Sequence, residues 1–221
     1  MPVERLLSIN DEIKDILNNN LNLKYFPKII VVCKTFSMDK ILPLINHGHI
    51  HFAENKVQEA ETKWSDTKKK FPQIKLHMVG KLQTNKVKKA VELFDYIHSV
   101  DTLKLAEKIS KYKLILKKEP KIFIQVNVGE ESQKSGVTLE EVLNFVHVCK
   151  NDLSLHVTGL MCLPPNNVDV EKYFKMLFSL REKAKVDHLS MGMSNDYKVA
   201  VKCGSTFLRI GTKILGERFK V

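Results

Sequence analysis

Lys28-Ile29-Ile30-Val31-Val32-Cys33-Lys34-Thr35 is an apolar, β-branched run entered after Pro27 and left into a polar turn. This is the pattern of a buried strand, and it ends on a lysine. A lysine is out of place there, because burying an ammonium is costly unless the group is paired or its pKa falls. A lysine with a lowered pKa is an amine nucleophile able to form a Schiff base. The competing reading places Lys34 just past the strand end, with its amine snorkelling into water.

Outward from this strand the chain alternates. Before it, Val3, Leu6, Leu7, Ile13, Ile16 and Leu17 fall on one helical face that ends at Asn18-Asn19-Asn20, which predicts an amphipathic N-terminal helix. After it, Ser37 or Asp39 caps a helix through Ile45, with Pro43 expected in its first turn or so, where proline is tolerated. Further strands are predicted over 49–53, 75–80, 96–100, 121–127, 155–161, 187–191 and 206–211, and each leads into helical periodicity. The helices after the third, sixth and seventh strands are expected over 84–93, 169–185 and 194–202, and Thr138 with Glu141 forms a capping box before Val142. Eight strands, each followed by helix, predict a closed (β/α)8 TIM barrel with an extra N-terminal helix. The alternative is an open doubly wound sheet; its nucleotide-binding version lacks support, since Thr35-Phe36-Ser37-Met38 after the first strand carries no glycine fingerprint.

Bulk properties agree with one α/β domain over residues 1–221, since 221 residues at 43% hydrophobic can bury a full core. The formal charge of +11 invites a nucleic-acid reading, but the only arginines are Arg5, Arg181, Arg209 and Arg218. Readers of base edges and phosphates lean on arginine, so the lysine runs are read as solvated faces and no specific nucleic-acid site is expected. Cys33, Cys149, Cys162 and Cys203 lie far apart with no C-x-x-C pair, as expected of reduced thiols in a cytoplasmic protein. No long uncharged apolar run or signal peptide is present, so no membrane association is expected. His49, His51 and His77 are read as structural histidines, and no metal is assigned.

In such a barrel the C-terminal strand ends share one face. Lys34, Asn55, the loop after Gly80, Asn127, Met161, Ser190 with Ser194, and Arg209 are then the candidates, and closure makes strand eight, with Arg209, a neighbour of Lys34. Ser190-Met191-Gly192-Met193-Ser194 and Gly211-Thr212 each open a helix with small and hydroxyl residues. Two helix N-termini side by side make a cup for phosphate, and barrels commonly hold phosphate there. A lysine amine, a phosphate cup and an arginine on one rim describe a pyridoxal phosphate site, with Lys34 as the aldimine lysine and Arg209 donating to the pyridine nitrogen.

The same residues resemble a known family. Val32-Cys33-Lys34-Thr35, Phe52-Ala53-Glu54-Asn55-Lys56-Val57-Gln58-Glu59, His77-Met78-Val79-Gly80-Lys81-Leu82-Gln83-Thr84-Asn85-Lys86, Lys134-Ser135-Gly136, Gly159-Leu160-Met161, the 189–196 and 204–212 segments and Gly216-Glu217-Arg218 are similar to the single-domain pyridoxal phosphate homeostasis proteins. The barrel of that family is like the N-terminal domain of alanine racemase. The resemblance implies that Lys34 carries the cofactor, that Asn55 lines the ring, that Ser190, Ser194, Gly211 and Thr212 hold phosphate, and that Arg209 meets the ring nitrogen. Ala53 stands where the family often has glycine and is expected to tighten a turn. The implied role is a carrier and buffer of pyridoxal phosphate in vitamin B6 homeostasis, working as a monomer with PLP-dependent apoenzymes as its partners. A weak PLP-dependent racemase is the alternative, and none of Tyr25, Tyr96, Tyr112, Tyr173 and Tyr197 sits on a predicted rim loop to serve as its second base. Lys134 is weighed as a second amine for the aldehyde and read instead as a solvated loop lysine.

Overall fold

In the computed structural model, which describes residues 1–20, 25–131, 133–165 and 169–217, eight parallel strands pair in chain order and close into a barrel. They are β1 (Lys28–Val32), β2 (His51–Glu54), β3 (Lys75–Met78), β4 (Tyr96–Val100), β5 (Lys121–Val126), β6 (Val157–Cys162), β7 (His188–Ser190) and β8 (Phe207–Ile210). Closure runs through β1 and β8, where Ile30 lies opposite Arg209 and Val31 opposite Ile210. The (β/α)8 barrel expected from the strand–helix alternation is therefore the fold.

The helices are α1 (Pro2–Asn18), α2 (Met38–Asn46), α3 (Val57–Lys70), α4 (Val87–Leu93), α5 (Leu103–Leu116), α6 (Val142–His147), α7 (Glu171–Lys183), α8 (Tyr197–Lys202) and α9 (Thr212–Leu215). Strand parity divides the core in two. Ile29, Val31 and Cys33 join the large cluster between sheet and helices, whereas Ile30 and Val32 join Ala53, Tyr96, Phe123, Met161 and Phe207 in a smaller cluster inside the barrel. Lys34 continues the inward parity of Ile30 and Val32. The N-terminal helix is present: α1 buries Leu6, Ile9 and Ile13 and packs on α2, α8 and α9.

Several boundaries differ from expectation for local reasons. Pro43 lies in the second turn of α2, not the first, so the Asp39 carbonyl has no N–H four residues on. The third strand stops at Met78 because the chain turns at Val79 and Gly80 across Asn55; a Cβ on Gly80 would lie 2.2 Å from the Asn55 carbonyl oxygen. The stretch after β3 is a 3₁₀ turn over Thr84–Lys86 before α4 begins. Helix α8 begins at Tyr197, because Asp196 first turns the chain by accepting the Met193 N–H. Ala53 sits in regular strand β2 rather than in a turn, buried inside the barrel. Half of the expected capping box forms before α6: the Glu141 N–H donates to Thr138 Oγ1 at 3.3 Å, but Glu141 Oε2 accepts from the Thr138 hydroxyl at 2.7 Å rather than from the Thr138 backbone N–H.

Candidate functional site

A cavity of about 1010 Å³ opens at the C-terminal strand ends, and Lys34, Asn55, Ser194, Arg209, Gly211 and Thr212 all line it. They come from the C-terminal ends of β1, β2, β7 and β8, which the barrel closure brings together.

Lys34 is held from both sides. Thr35 adopts a left-handed φ of 67°, strained for a β-branched residue, and its N–H donates to Glu59 Oε1 at 2.6 Å. On the other side the Cys33 carbonyl accepts from Lys63 Nζ at 2.9 Å, and that ammonium also donates to Glu54 Oε1 at 2.8 Å and Glu59 Oε1 at 3.0 Å. The Trp64 indole N–H donates to Glu54 Oε1 at 2.9 Å. Glu54 is fully buried. Burial pushes the Glu54 carboxyl up against the bonds from Lys63 and Trp64. At Lys63 burial acts downward, but the bonds from Glu54 and Glu59 outweigh it and raise its pKa. A buried ion pair thus clamps the backbone that carries Lys34.

Arg209, 4% exposed, donates through one terminal nitrogen to Ser190 Oγ at 2.7 Å and through the other to the Cys162 carbonyl at 2.9 Å. A guanidinium has five N–H groups, so the bonds to these two neutral acceptors leave donors for the cavity that Arg209 lines. Ser194 Oγ accepts from Thr212 Oγ1 at 3.2 Å and from the Lys213 N–H at 3.4 Å, which ties the loops after β7 and β8 together. Gly192, at φ +91°, makes this possible: a Cβ there would lie 2.5 Å from Ala200 Cβ.

Ser190 departs from its expected place. It is fully buried and sits beneath Arg209, off the cavity wall. There it meets the ring of His98, with Oγ and Nδ1 2.9 Å apart. His98 Nε2 is 2.9 Å from His77 Nδ1, and His77 Nε2 is 2.9 Å from His51 Nδ1. Met161 is also inside the barrel, and the Asn127 side chain shapes its own loop by donating to the Glu131 carbonyl at 2.9 Å. Lys134 lines the cavity, but its ammonium is paired with Glu131 Oε1 at 2.7 Å. Arg218 lies outside the described residues.

Two groups escaped the sequence reading. The Glu54–Lys63–Glu59 cluster lay within the matched segment and the helix after it, yet nothing local said that these charges meet under Lys34. The histidines carried a signal: His51, His77 and His98 occupy the inward parity of three successive strands.

Pyridoxal phosphate fits this donor set. An amine, two tied loops with hydroxyls, and an arginine without a carboxylate partner among the described residues match its aldehyde, phosphate and unprotonated ring nitrogen. Asn55 Oδ1 is buried on the cavity wall with no hydrogen-bond partner, a polar atom that a ligand would satisfy.

Residues 17–218 match the family model described as the N-terminal domain of alanine racemase. The pyridoxal phosphate homeostasis protein of Pasteurella multocida is 35% identical over 201 residues, covering 86% of each chain. That of Helicobacter pylori is 38% identical over 198 residues, 86% of this chain and 87% of the relative. Among solved structures, Synechococcus elongatus PipY with PLP bound superposes with a TM-score of 0.82 at 31% identity, over 98% of this chain and 100% of that one. Alanine racemase of Clostridium difficile, at 14% identity and a TM-score of 0.71 over 95% of this chain and 57% of that one, shares the barrel. By the extent of the match and the identity of these relatives, the chain belongs to the alanine racemase N-terminal domain family, among the pyridoxal phosphate homeostasis proteins.

Proposed function

We propose that the chain binds pyridoxal 5'-phosphate through Lys34 and serves as its intracellular carrier and buffer in vitamin B6 homeostasis, with PLP-dependent apoenzymes as recipients. The observation that carries this reading is the meeting of Lys34, Arg209 and the tied Ser194–Thr212 loops on one cavity wall. The structure of PipY with PLP bound supports it.

When bound, pyridoxal phosphate supplies an aldehyde that condenses reversibly with amines and a ring that withdraws electrons. Lys34 provides the amine. Ser194, Thr212 and the backbone N–H groups of the two loops hold the phosphate, and Asn55 borders the ring. Arg209, having only donors to offer, holds the ring nitrogen without a proton, which keeps the ring a weak electron sink and favours carriage over carbanion chemistry. A two-base racemase also needs a second acid. Tyr197, which follows the loop after β7, is buried, its hydroxyl donates to Glu12 and accepts from Lys213, and burial and the Glu12 contact push its pKa up.

Mixing the purified protein with pyridoxal phosphate is expected to give a visible absorption band. Borohydride should then fix the cofactor on the peptide that contains Lys34, and Lys34→Ala should show neither band nor adduct. A band indifferent to Lys34→Ala would overturn the reading.

A further inference from the structure

The row of hydrogen bonds beneath Arg209 runs through the barrel interior, and its direction follows from the chemistry of its upper end. Arginine can only donate, so Ser190 Oγ accepts from it. The Ser190 hydroxyl has one proton of its own, and Ser190 is fully buried. Among the described residues the remaining neighbour able to accept that proton is His98 Nδ1, 2.9 Å away. Were His98 to donate instead, the serine proton would be a buried donor without an acceptor, at a cost of about 1–3 kcal/mol.

Each later step is then forced. His98 carries its proton on Nε2 and donates to His77 Nδ1; His77 carries its proton on Nε2 and donates to His51 Nδ1. His51, only partly buried, is left with an Nε2–H at the barrel floor. The rings have little freedom to turn: His77 stacks on Tyr96 with centroids 4.2 Å apart and planes 8° apart, and His98 on Phe123 at 4.2 Å and 10°. Burial holds His77 and His98 well below the usual histidine range and His51 at about 4, so all three are neutral at neutral pH.

We infer that His98, backed by His77 and His51, is a positioning residue: a one-way ladder of imidazoles holds Ser190 as acceptor from Arg209 and thereby sets the guanidinium that faces the cofactor ring. The inference rests on the reading that Arg209 meets the ring nitrogen of pyridoxal phosphate. Chained hydrogen bonds polarise one another, so the ladder makes Ser190 Oγ a stronger acceptor than an isolated serine and keeps Arg209 charged and aimed without a carboxylate beside it.

Two measurements test this. In the cofactor-free protein, imidazole nitrogen shifts should show Nε2–H and unprotonated Nδ1 for His51, His77 and His98; Nδ1–H forms, or charged rings at pH 7, overturn the ladder. In titrations with pyridoxal phosphate, Ser190→Ala and His98→Phe, which keeps the stack on Phe123, should each weaken binding about tenfold, equivalent to one lost hydrogen bond to a charged group. The double variant should be no weaker than the worse single one, because the two residues act as a unit. His98→Phe with wild-type affinity overturns the inference alone, whereas a wild-type protein lacking a Lys34-dependent band overturns the cofactor reading and this inference with it. Should His98→Phe fail to fold, the nitrogen shifts and Ser190→Ala decide.

Discussion

At the scale of single residues, the position of Lys34 depends on charges that hold the backbone on either side of it. Glu54 and Lys63 form a buried pair whose ammonium also grips the Cys33 carbonyl. Removing one partner of such a pair leaves the other charge without compensation, which typically costs 3–5 kcal/mol, about the whole margin of a marginal domain. Lys63→Ala is therefore expected to lower the unfolding free energy by about 3 kcal/mol or more, measured by urea denaturation. A change under about 0.5 kcal/mol would mean that the pair behaves as an exposed one. Lys34 itself was legible because a lysine at the end of an apolar run breaks a local pattern, although β1 stops at Val32 and Lys34 stands two residues past it in the turn. Lys63 was not, since a lysine on a helix is ordinary until the helix is packed against the sheet.

At the scale of elements, α1 acts as a brace for the tied loops after β7 and β8. Glu12 accepts from the Tyr197 hydroxyl and pairs with Lys198 at 2.6 Å, and Lys213 Nζ reaches the same Tyr197 hydroxyl at 3.1 Å. The helix before the first strand thus holds both α8 and the start of α9, the segments that follow the tied loops. These bonds also lower the Glu12 pKa, chiefly through Lys198 and Tyr197. Glu12→Ala should loosen α9 and weaken pyridoxal phosphate binding about threefold, the value of a partly exposed ionic contact, with helix content by circular dichroism unchanged. Unaltered affinity would reduce α1 to a cover for the apolar faces of its neighbours. The amphipathic stripe of α1 could be read from its periodicity, but not what its polar face meets.

At the scale of the whole molecule, the barrel encloses histidines that must stay neutral. Burial lowers His49 and His51 to about 4 and holds His77 and His98 well below the ordinary 6.5. The unfolded chain binds protons at these groups first, so their stabilising share is complete above about pH 6.5 and is lost as pH falls toward 4. Unfolding free energy should therefore fall between pH 7 and pH 5, with a slope of up to about 1.4 kcal/mol per pH unit for each titrating histidine. Denaturation curves at both pH values check this, and equal stability would show that the rings are hydrated. Among the described residues no helix is long and apolar enough to cross a membrane.

Read alone, the sequence determined the barrel, the order of its strands and the residue types at their ends. Those features follow from period-two strands, helical periodicity and residue types, all of which are local. Only the tertiary structure decided which polar atoms meet: Ser190 between Arg209 and His98, three histidines in one row, and Lys63 on the Cys33 carbonyl. Side-chain identity sets what a group can donate or accept. Which partner lies within 3 Å is set by barrel closure and by strand register, and neither is written in any short stretch of chain.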